Sequence, residues 1–181
     1  MIQIRNETFA DIPAREALLD AALGEARFDK PSERLREGRL PARGLALAAD
    51  VEGELAGTVR LWNIRAGSAG EGLLLGPLAV AAERRSLGVG ARLMREAMWR
   101  AAQAGRRFVL LVGDAPYYER FGFGRAPSGL VMPGPTDPAR FLAFEIRPGA
   151  LAGAAGEIVG TGVRSGLRGR AGEQSTWPLA A

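Results

Sequence analysis

Two segments of this sequence bring together residue types that could do chemistry. The first is Arg84-Arg85-Ser86-Leu87-Gly88-Val89-Gly90, where two arginines stand beside two glycines. Glycine lets the backbone approach a ligand closely, and the first amides of a helix lack intrahelical partners and carry the positive end of its dipole. If a helix begins at this turn, the segment forms a binding site for a diphosphate, with the arginines adding charge-assisted hydrogen bonds.

The second segment is Asp114-Ala115-Pro116-Tyr117-Tyr118, in which two tyrosines are adjacent. Asp114 is suited to cap a short helix that carries both of them. Neighbouring side chains on a helix point about 100° apart, so only one of the two is expected to face a common site. The residues alone leave open which one does, and whether both are simply packing aromatics.

Composition limits which chemistry these segments can use. The chain has 181 residues, 47% of them hydrophobic and 24% charged, with no His and no Cys. Disulfides, thiolate catalysis, Cys-based zinc sites and a Ser-His-Asp triad are therefore excluded. Catalysis must use Tyr, Ser, Thr, Asp, Glu, Lys, Arg or backbone groups. No stretch of about 18 apolar residues and no signal pattern is present, so we expect a cytoplasmic protein without a membrane partner.

Positive charge is concentrated in one part of the chain. The net charge is +4, yet 83–107 contains seven Arg and two Glu. A local excess of this kind indicates an anionic partner, either a phosphorylated cofactor or nucleic acid.

Hydrophobic patterning places the two segments between strands and helices. It predicts strands at 1–6, 45–51, 55–64, 73–80, 107–112, 140–146 and 157–163, and helices at 11–23, 31–37, 90–104 and 114–121. Gly76-Pro77 interrupts the apolar run 73–80, which predicts a bulge or kink there. The order predicts an α/β (α+β layered) fold around a mixed sheet. We expect one domain over 1–164 and a flexible tail over 165–181.

The glycine turn does not fit the common phosphate-binding motifs, since neither Gly-Lys-Ser/Thr nor G-x-G-x-x-G occurs. Arg85-Ser86-Leu87-Gly88-Val89-Gly90 instead matches Arg/Gln-x-x-Gly-x-Gly/Ala. Together with Leu73-Leu74-Leu75-Gly76-Pro77-Leu78-Ala79-Val80 and the Val112–Phe123 stretch, it resembles the GCN5-related N-acetyltransferase (GNAT) superfamily, in particular its YhbS-like bacterial branch. The resemblance covers about residues 2–147 in element order, and its specific part is 73–123.

The resemblance implies a GNAT fold: a mixed, twisted sheet of about six to seven strands, with helices on both faces and the fourth and fifth strands splayed apart. Acetyl-CoA would lie in that wedge, its pantetheine along the fourth strand and its pyrophosphate on the glycine turn. No metal is implied. The cofactor-binding residues that it implies are Leu78, Ala79, Val80, Arg84, Arg85, Ser86, Leu87, Gly88, Val89, Gly90, Ala91, Asp114 and Tyr117.

The implied activity is transfer of an acetyl group from acetyl-CoA to a primary amine by direct attack in a ternary complex. The matching motif makes Tyr118 the acid that protonates the CoA thiolate. A phenol with a pKa near 10 can serve a thiolate whose conjugate acid lies near 8.5 or above. The base stays open among Glu71, Asp50, Glu52, Asp114 and ordered water.

Two other functions are weighed against this one. Many members have Gly or Arg at the positions of Ser86 and Leu87, so the turn in this sequence has one charge fewer and less flexibility. That difference would weaken acetyl-CoA affinity and favour a non-catalytic acyl-CoA-binding or regulatory protein. A nucleic-acid binder ranks below both, because Trp99 is the single aromatic within the arginine-rich segment. No residue decides on a homodimer. The acceptor regions, about 23–40 and 124–140, hold no single decisive charge, so the amine is not identified.

Overall fold

The computed structural model describes residues 1–166, so the predicted tail lies almost wholly outside the described residues and the division at 164 stays a prediction. The helices are α1 Ile12–Leu23, α2 Glu33–Arg36, α3 Val89–Gln103 and α4 Ala115–Glu119. The strands are β1 Ile2–Asn6, β2 Ala46–Val51, β3 Glu54–Ala66, β4 Glu71–Val80, β5 Phe108–Val112, β6 Gly124–Arg125, β7 Gly129–Val131, β8 Phe141–Glu145 and β9 Ala155–Gly160.

All nine strands belong to one mixed sheet. Seven of them follow the order β1-β2-β3-β4-β5-β8-β6, and β9 pairs with both β3 and β7. β4 runs parallel to β5, whereas β1 to β4 pair in an antiparallel way. The predicted mixed sheet is confirmed. The sheet exceeds the expected six to seven strands because β6 and β7 are only two and three residues long, within a Pro/Gly-rich region that showed no strand pattern.

Alternating side chains of β4 give the sheet an apolar core on each face. Leu73 and Leu75 pack in one cluster with Leu93 and Met94 of α3. Leu74 packs in the other cluster, which includes Leu35 of α2. Because successive strand residues point to opposite faces, α3 and α2 lie on opposite sides of the sheet, as expected for helices on both faces.

Helix α1 lies on the α2 side. Glu7 accepts hydrogen bonds from Arg15 of α1 and from Arg60 of β3. The Arg60 guanidinium lies 5.9 Å from the centre of the Trp62 ring, which belongs to the core cluster on the α2 side. The ion pairs therefore anchor α1 to the same face of the sheet as α2.

β4 is bent by a bulge and then diverges from β5. Val59 pairs with Leu78 and Leu61 with Leu75, so β4 carries one more residue than β3 across the Gly76-Pro77 step. This confirms the bulge or kink predicted from the sequence. The Trp62 indole N–H donates to the carbonyl of Gly76 at 2.6 Å and satisfies this buried acceptor of the bulge.

β4 and β5 pair at two positions only, Leu73 with Val109 and Leu74 with Leu110. Both strands continue beyond this point, to Val80 and Val112 respectively. The backbone groups of β4 that face β5 beyond Leu74 therefore have no strand partner within residues 1–166. The splayed wedge between the fourth and fifth strands is confirmed. Over the same residues, no helix combines the length and apolar character needed to cross a membrane.

Candidate active site

A cavity of about 690 Å³ occupies the wedge between β4 and β5. Gly88 and Gly90, at the start of α3, line it on one face of the sheet, and Arg36 of α2 lines it on the other. The cavity therefore passes through the gap that the diverging strands leave. Its middle is bounded by the second half of β4, including Leu78, and by Tyr118 of α4.

The glycine turn presents the start of α3 to this cavity. Gly88 has φ +79°, a left-handed conformation that favours glycine, and α3 begins at the next residue. No described side chain caps this helix end, so its first amides are open to a ligand. Arg85 and Ser86 also line the cavity here. Positive potential and unpaired N–H groups meet at one place, which suits an anion.

The close approach of the Tyr117 side chain to α3 requires glycine at position 90. A Cβ atom on this residue would lie 2.7 Å from the Tyr117 hydroxyl oxygen. Glycine thus allows the phenol of Tyr117 to reach the first turn of α3. The Tyr117 hydroxyl is therefore part of the same end of the cavity as the glycine turn.

Both tyrosines line the cavity, which corrects the expectation that only one could face it. Their rings are nearly perpendicular, 84° apart, with centres separated by 5.0 Å. Tyr117 points to the start of α3, whereas the Tyr118 ring packs where a Cβ on Gly113 would lie 2.3 Å from it. The cavity is long enough to contact each ring at a different place, so a 100° separation does not exclude either.

Burial raises the pKa of Tyr118 to about 12, and the neighbouring Tyr117 and Asp114 add to that rise, while the positive charge of Arg140 opposes it. Burial also raises the pKa of Tyr117, against the effect of Arg120, whose guanidinium lies 4.5 Å from the centre of the Tyr117 ring. Since an unperturbed tyrosine has a pKa near 10, both phenols keep their protons at neutral pH. Each is available as a hydrogen-bond donor.

The structure brings most of the predicted site residues together. The predicted residues that line the cavity are Leu78, Ala79, Val80, Arg85, Ser86, Gly88, Gly90, Ala91, Asp114, Tyr117 and Tyr118. Three others do not line it. The Arg84 guanidinium donates to Glu52 at 2.9 Å. Leu87 is exposed but is not part of the cavity lining, and Val89 is fully buried in the hydrophobic core.

The carboxylates considered as a base are also separated by the fold. Asp50 accepts from Arg5, and Glu52 accepts from Arg84. Glu71 begins β4, at the end away from the wedge, where it accepts from Thr161 at 3.0 Å. Among the four, Asp114 alone lines the cavity.

The arginine-rich segment is divided among several roles. Arg92 donates to the Ile2 carbonyl, Arg100 to the Asn6 side chain, and Arg107 to the Ala69 carbonyl. Arg85 is the one arginine of this segment that lines the cavity. Most of this positive charge therefore supports packing between elements.

Sequence reasoning did not single out a second set of cations in the lining. They are Arg27, Lys30, Arg36, Arg120 and Arg140. Some of them lie in the two regions expected to bind the acceptor, but they are mixed there with acidic residues, and only the fold selects which side chains face the wedge. Lys30 is the sole lysine of the sequence, a signal that was available and was given no role.

Over residues 1–166, no group of three or more His, Cys, Asp or Glu is placed to hold a metal ion.

Comparison with known proteins identifies the class of this fold and site. The family model described as the acetyltransferase (GNAT) family matches residues 11–123. The chain belongs to that family, which makes it an N-acetyltransferase by class and confirms the resemblance seen in the sequence. No curated protein sequence gives a significant match.

Solved structures agree with this assignment. The GNAT family N-acetyltransferase YhbS from Escherichia coli, in complex with CoA, is 27% identical; the match covers 88% of this chain and 89% of that one, with a TM-score of 0.70. A GNAT family acetyltransferase from Brucella melitensis, in complex with acetyl-CoA, is 28% identical over 80% of this chain and 96% of its own, with a TM-score of 0.58. The ribosomal-protein-S18-alanine N-acetyltransferase from Escherichia coli, at 19% identity, covers 81% of this chain and 95% of its own with a TM-score of 0.56, and shows the fold alone.

Proposed function

We propose that this protein transfers the acetyl group of acetyl-CoA to a primary amine, by direct attack in a ternary complex. The observation that carries the proposal is the cavity itself. It leads from the open start of α3, through the gap between β4 and β5, past Tyr118 to the opposite face of the sheet. A cofactor can enter from one face and an acceptor from the other.

The cofactor's pyrophosphate would bind at the glycine turn. The open amides near Gly88 and the guanidinium of Arg85 supply hydrogen bonds and positive charge. Two solved relatives above 25% identity are described as complexes with CoA and acetyl-CoA, which supports the same ligand here. The change at Ser86 and Leu87 leaves the turn intact as a backbone structure, because Gly88 still adopts the left-handed conformation.

The pantetheine arm would run along the second half of β4. Backbone groups of Leu75 to Val80 that face β5 have no strand partner within the described residues. An amide of the arm can pair with them as an added strand would. The thioester would then lie near the bulge at Gly76, on the part of the cavity that Tyr118 also lines.

The reaction then requires three proton movements. The neutral amine attacks the thioester carbonyl, a C–N bond forms, and the C–S bond breaks. Tyr118 donates its proton to the departing thiolate and recovers one from the nitrogen of the product. Asp114, directly or through water, is the carboxylate we assign to removing the proton from the acceptor ammonium, since it lines the cavity next to the tyrosines.

The test compares Tyr118→Phe with Tyr117→Phe, which remove one hydroxyl each from neighbouring rings. General acid catalysis contributes about 10²- to 10⁴-fold, so Tyr118→Phe should lower kcat by at least about 100-fold while its acetyl-CoA affinity, measured by calorimetry, stays within about twofold. Tyr117→Phe should weaken acetyl-CoA binding more than it lowers kcat. Turnover is followed by release of free CoA with a panel of amines.

Equal turnover by Tyr118→Phe and the unchanged protein would remove Tyr118 from the acid role. Acetyl-CoA binding by the unchanged protein without transfer to any amine would support a non-catalytic acyl-CoA-binding protein instead.

A further inference from the structure

Three cations gather at the end of the cavity opposite α3. They are Lys30 in the connection between α1 and α2, Arg36 at the end of α2, and Arg140 just before β8. The glycine turn, where the cofactor's diphosphate is proposed to bind, lies on the other face of the sheet. These cations are therefore separated from that part of the cofactor by the wedge.

Arg36 forms the inner wall of this group. It is 8% exposed, and its Nε donates to Glu33. One of its terminal nitrogens, Nη1, would lie 3.7 Å from a Cβ placed on Gly76, beside the bulge of β4. The guanidinium thus reaches the place where the thioester is proposed to lie, and only a group that enters the cavity can contact it.

Lys30 and Arg140 are exposed at the cavity mouth and form no ion pair with the acidic residues of 1–166. Every ion pair within residues 1–166 involves other cations. The lining contains a single carboxylate, Asp114, against six cations. Two positive charges at this end are therefore not neutralised by the described part of the chain.

The three cations repel one another, and this repulsion affects the pKa of Lys30. Burial lowers the pKa of Lys30, and the charges of Arg36 and Arg140 lower it further. Arg140 also acts on Tyr118, since its charge opposes the rise in the pKa of that phenol. Like charges brought together beside a reaction centre are unfavourable in the empty protein and become favourable when an anion binds among them.

We infer, on the basis of the proposed function, that the acceptor is a small amine that also carries a carboxylate or a phosphate. Lys30, Arg36 and Arg140 would hold that acidic group, and so turn the amino group toward the thioester. The partial enclosure of the site favours a small molecule, because the buried Arg36 is reached only from inside the cavity. This makes the three residues specificity determinants and not part of the cofactor site.

The experiment uses pairs of amines that differ only in the acidic group. β-Alanine is compared with β-alaninamide, and O-phosphoethanolamine with ethanolamine, so that the pairs also distinguish carboxylate from phosphate. Variants Lys30→Gln and Arg140→Gln are compared with Lys30→Arg and Arg140→Lys. Arg43→Gln, an exposed arginine outside the lining, controls for the loss of one charge anywhere on the protein.

We expect the acidic member of at least one pair to have a kcat/KM about 10-fold or more above its neutral partner. Lys30→Gln or Arg140→Gln should lower kcat/KM for the acidic member by about 10-fold, mainly through KM, as expected for a charged contact in a partly enclosed site. Both variants should leave the acetyl-CoA affinity within about twofold. Each should lower kcat/KM for the acidic member more than for the neutral member, even where Arg140→Gln also changes turnover through its effect on Tyr118. The charge-preserving variants should recover part of the loss, and Arg43→Gln should change nothing.

Three outcomes overturn the inference and each has its own meaning. Faster transfer to the neutral members shows that the acceptor is not acidic, while the proposed function stands. A loss of acetyl-CoA affinity in Lys30→Gln and Arg140→Gln assigns these cations to the cofactor. Binding of acetyl-CoA without transfer to either member of any pair contradicts the proposed function, and the inference with it.

Discussion

Gly88 offers the sharpest test of the proposed diphosphate site, because the chain contains a matched control for it. Gly88 opens α3 with φ +79° and lines the cavity, whereas Gly105 follows the same helix with φ +68° and does not line it. A Cβ on either residue would meet no atom within 4 Å. Changing each to alanine therefore introduces the same backbone strain and no steric clash with the protein.

The expected magnitudes separate stability from binding. An alanine in the left-handed region costs about 1–2 kcal/mol, so Gly88→Ala and Gly105→Ala should lose similar amounts of unfolding free energy in urea. Only Gly88→Ala places a methyl group beside the open amides. A hydrogen bond to a charged group contributes about 1.5–3 kcal/mol, so the loss of one amide contact to the pyrophosphate should weaken acetyl-CoA binding by about 10- to 100-fold.

Calorimetric titration with acetyl-CoA and with dephospho-CoA, at two salt concentrations, measures this effect. Both ligands contain the pyrophosphate, so Gly88→Ala should weaken both by the same factor, and Gly105→Ala should bind each as the unchanged protein does. If the two variants bind acetyl-CoA equally well, the start of α3 does not hold the diphosphate and the reasoning fails. If Gly88→Ala weakens acetyl-CoA alone, the contact belongs to the 3′-phosphate.

Two further predictions follow from the same cavity. Because burial raises the pKa of Tyr118 to about 12, the acid stays protonated past the ordinary tyrosine pKa, so the decline of kcat at alkaline pH should lie above pH 10; a decline centred near or below 10 that Tyr118→Phe abolishes would contradict this assignment. Trp62→Phe leaves the Gly76 carbonyl without its buried donor and should lower the unfolding free energy by about 1–3 kcal/mol, measured in urea, whereas Trp99→Phe, at a residue 58% exposed, should change it by less than about 0.5 kcal/mol; equal effects of the two changes would show that the bulge does not depend on the indole.

The sequence contained the information for the elements that carry strong local signals. The apolar run 73–80 and the glycines of the turn predicted β4, its bulge and the start of α3, because periodicity and backbone requirements are local properties. The short strands β6 and β7 left no such signal, since two or three residues in a Pro/Gly-rich stretch pair only once β8 and β9 are in place. Tertiary pairing decided them.

The residues of the site likewise fall into those with a local sequence signal and those without one. Residues of the turn and of α4 were predicted because contiguous motifs contain them. Arg36 and Arg140 are more than 100 positions apart in the sequence, and each lies among charges of both signs. Ion pairing then removes some candidates, since Arg84 is held by Glu52 and Arg27 by Asp20. What a charge does in this protein depends on whether the fold supplies it with a partner, and that cannot be derived from its neighbours in the chain.

The two ends of the cavity therefore differ in a way that bears on the order of binding. At the α3 end, the groups proposed to bind an anion are the backbone amides at the helix start and Arg85. At the other end, the long side chains of Lys30 and Arg140 are exposed and held by no ion pair within residues 1–166, so the proposed acceptor would have to order them. Arg36 joins the two ends through its position beside Gly76. A cofactor seated along β4 would complete the wall against which the acceptor binds, and this geometry favours acetyl-CoA binding first.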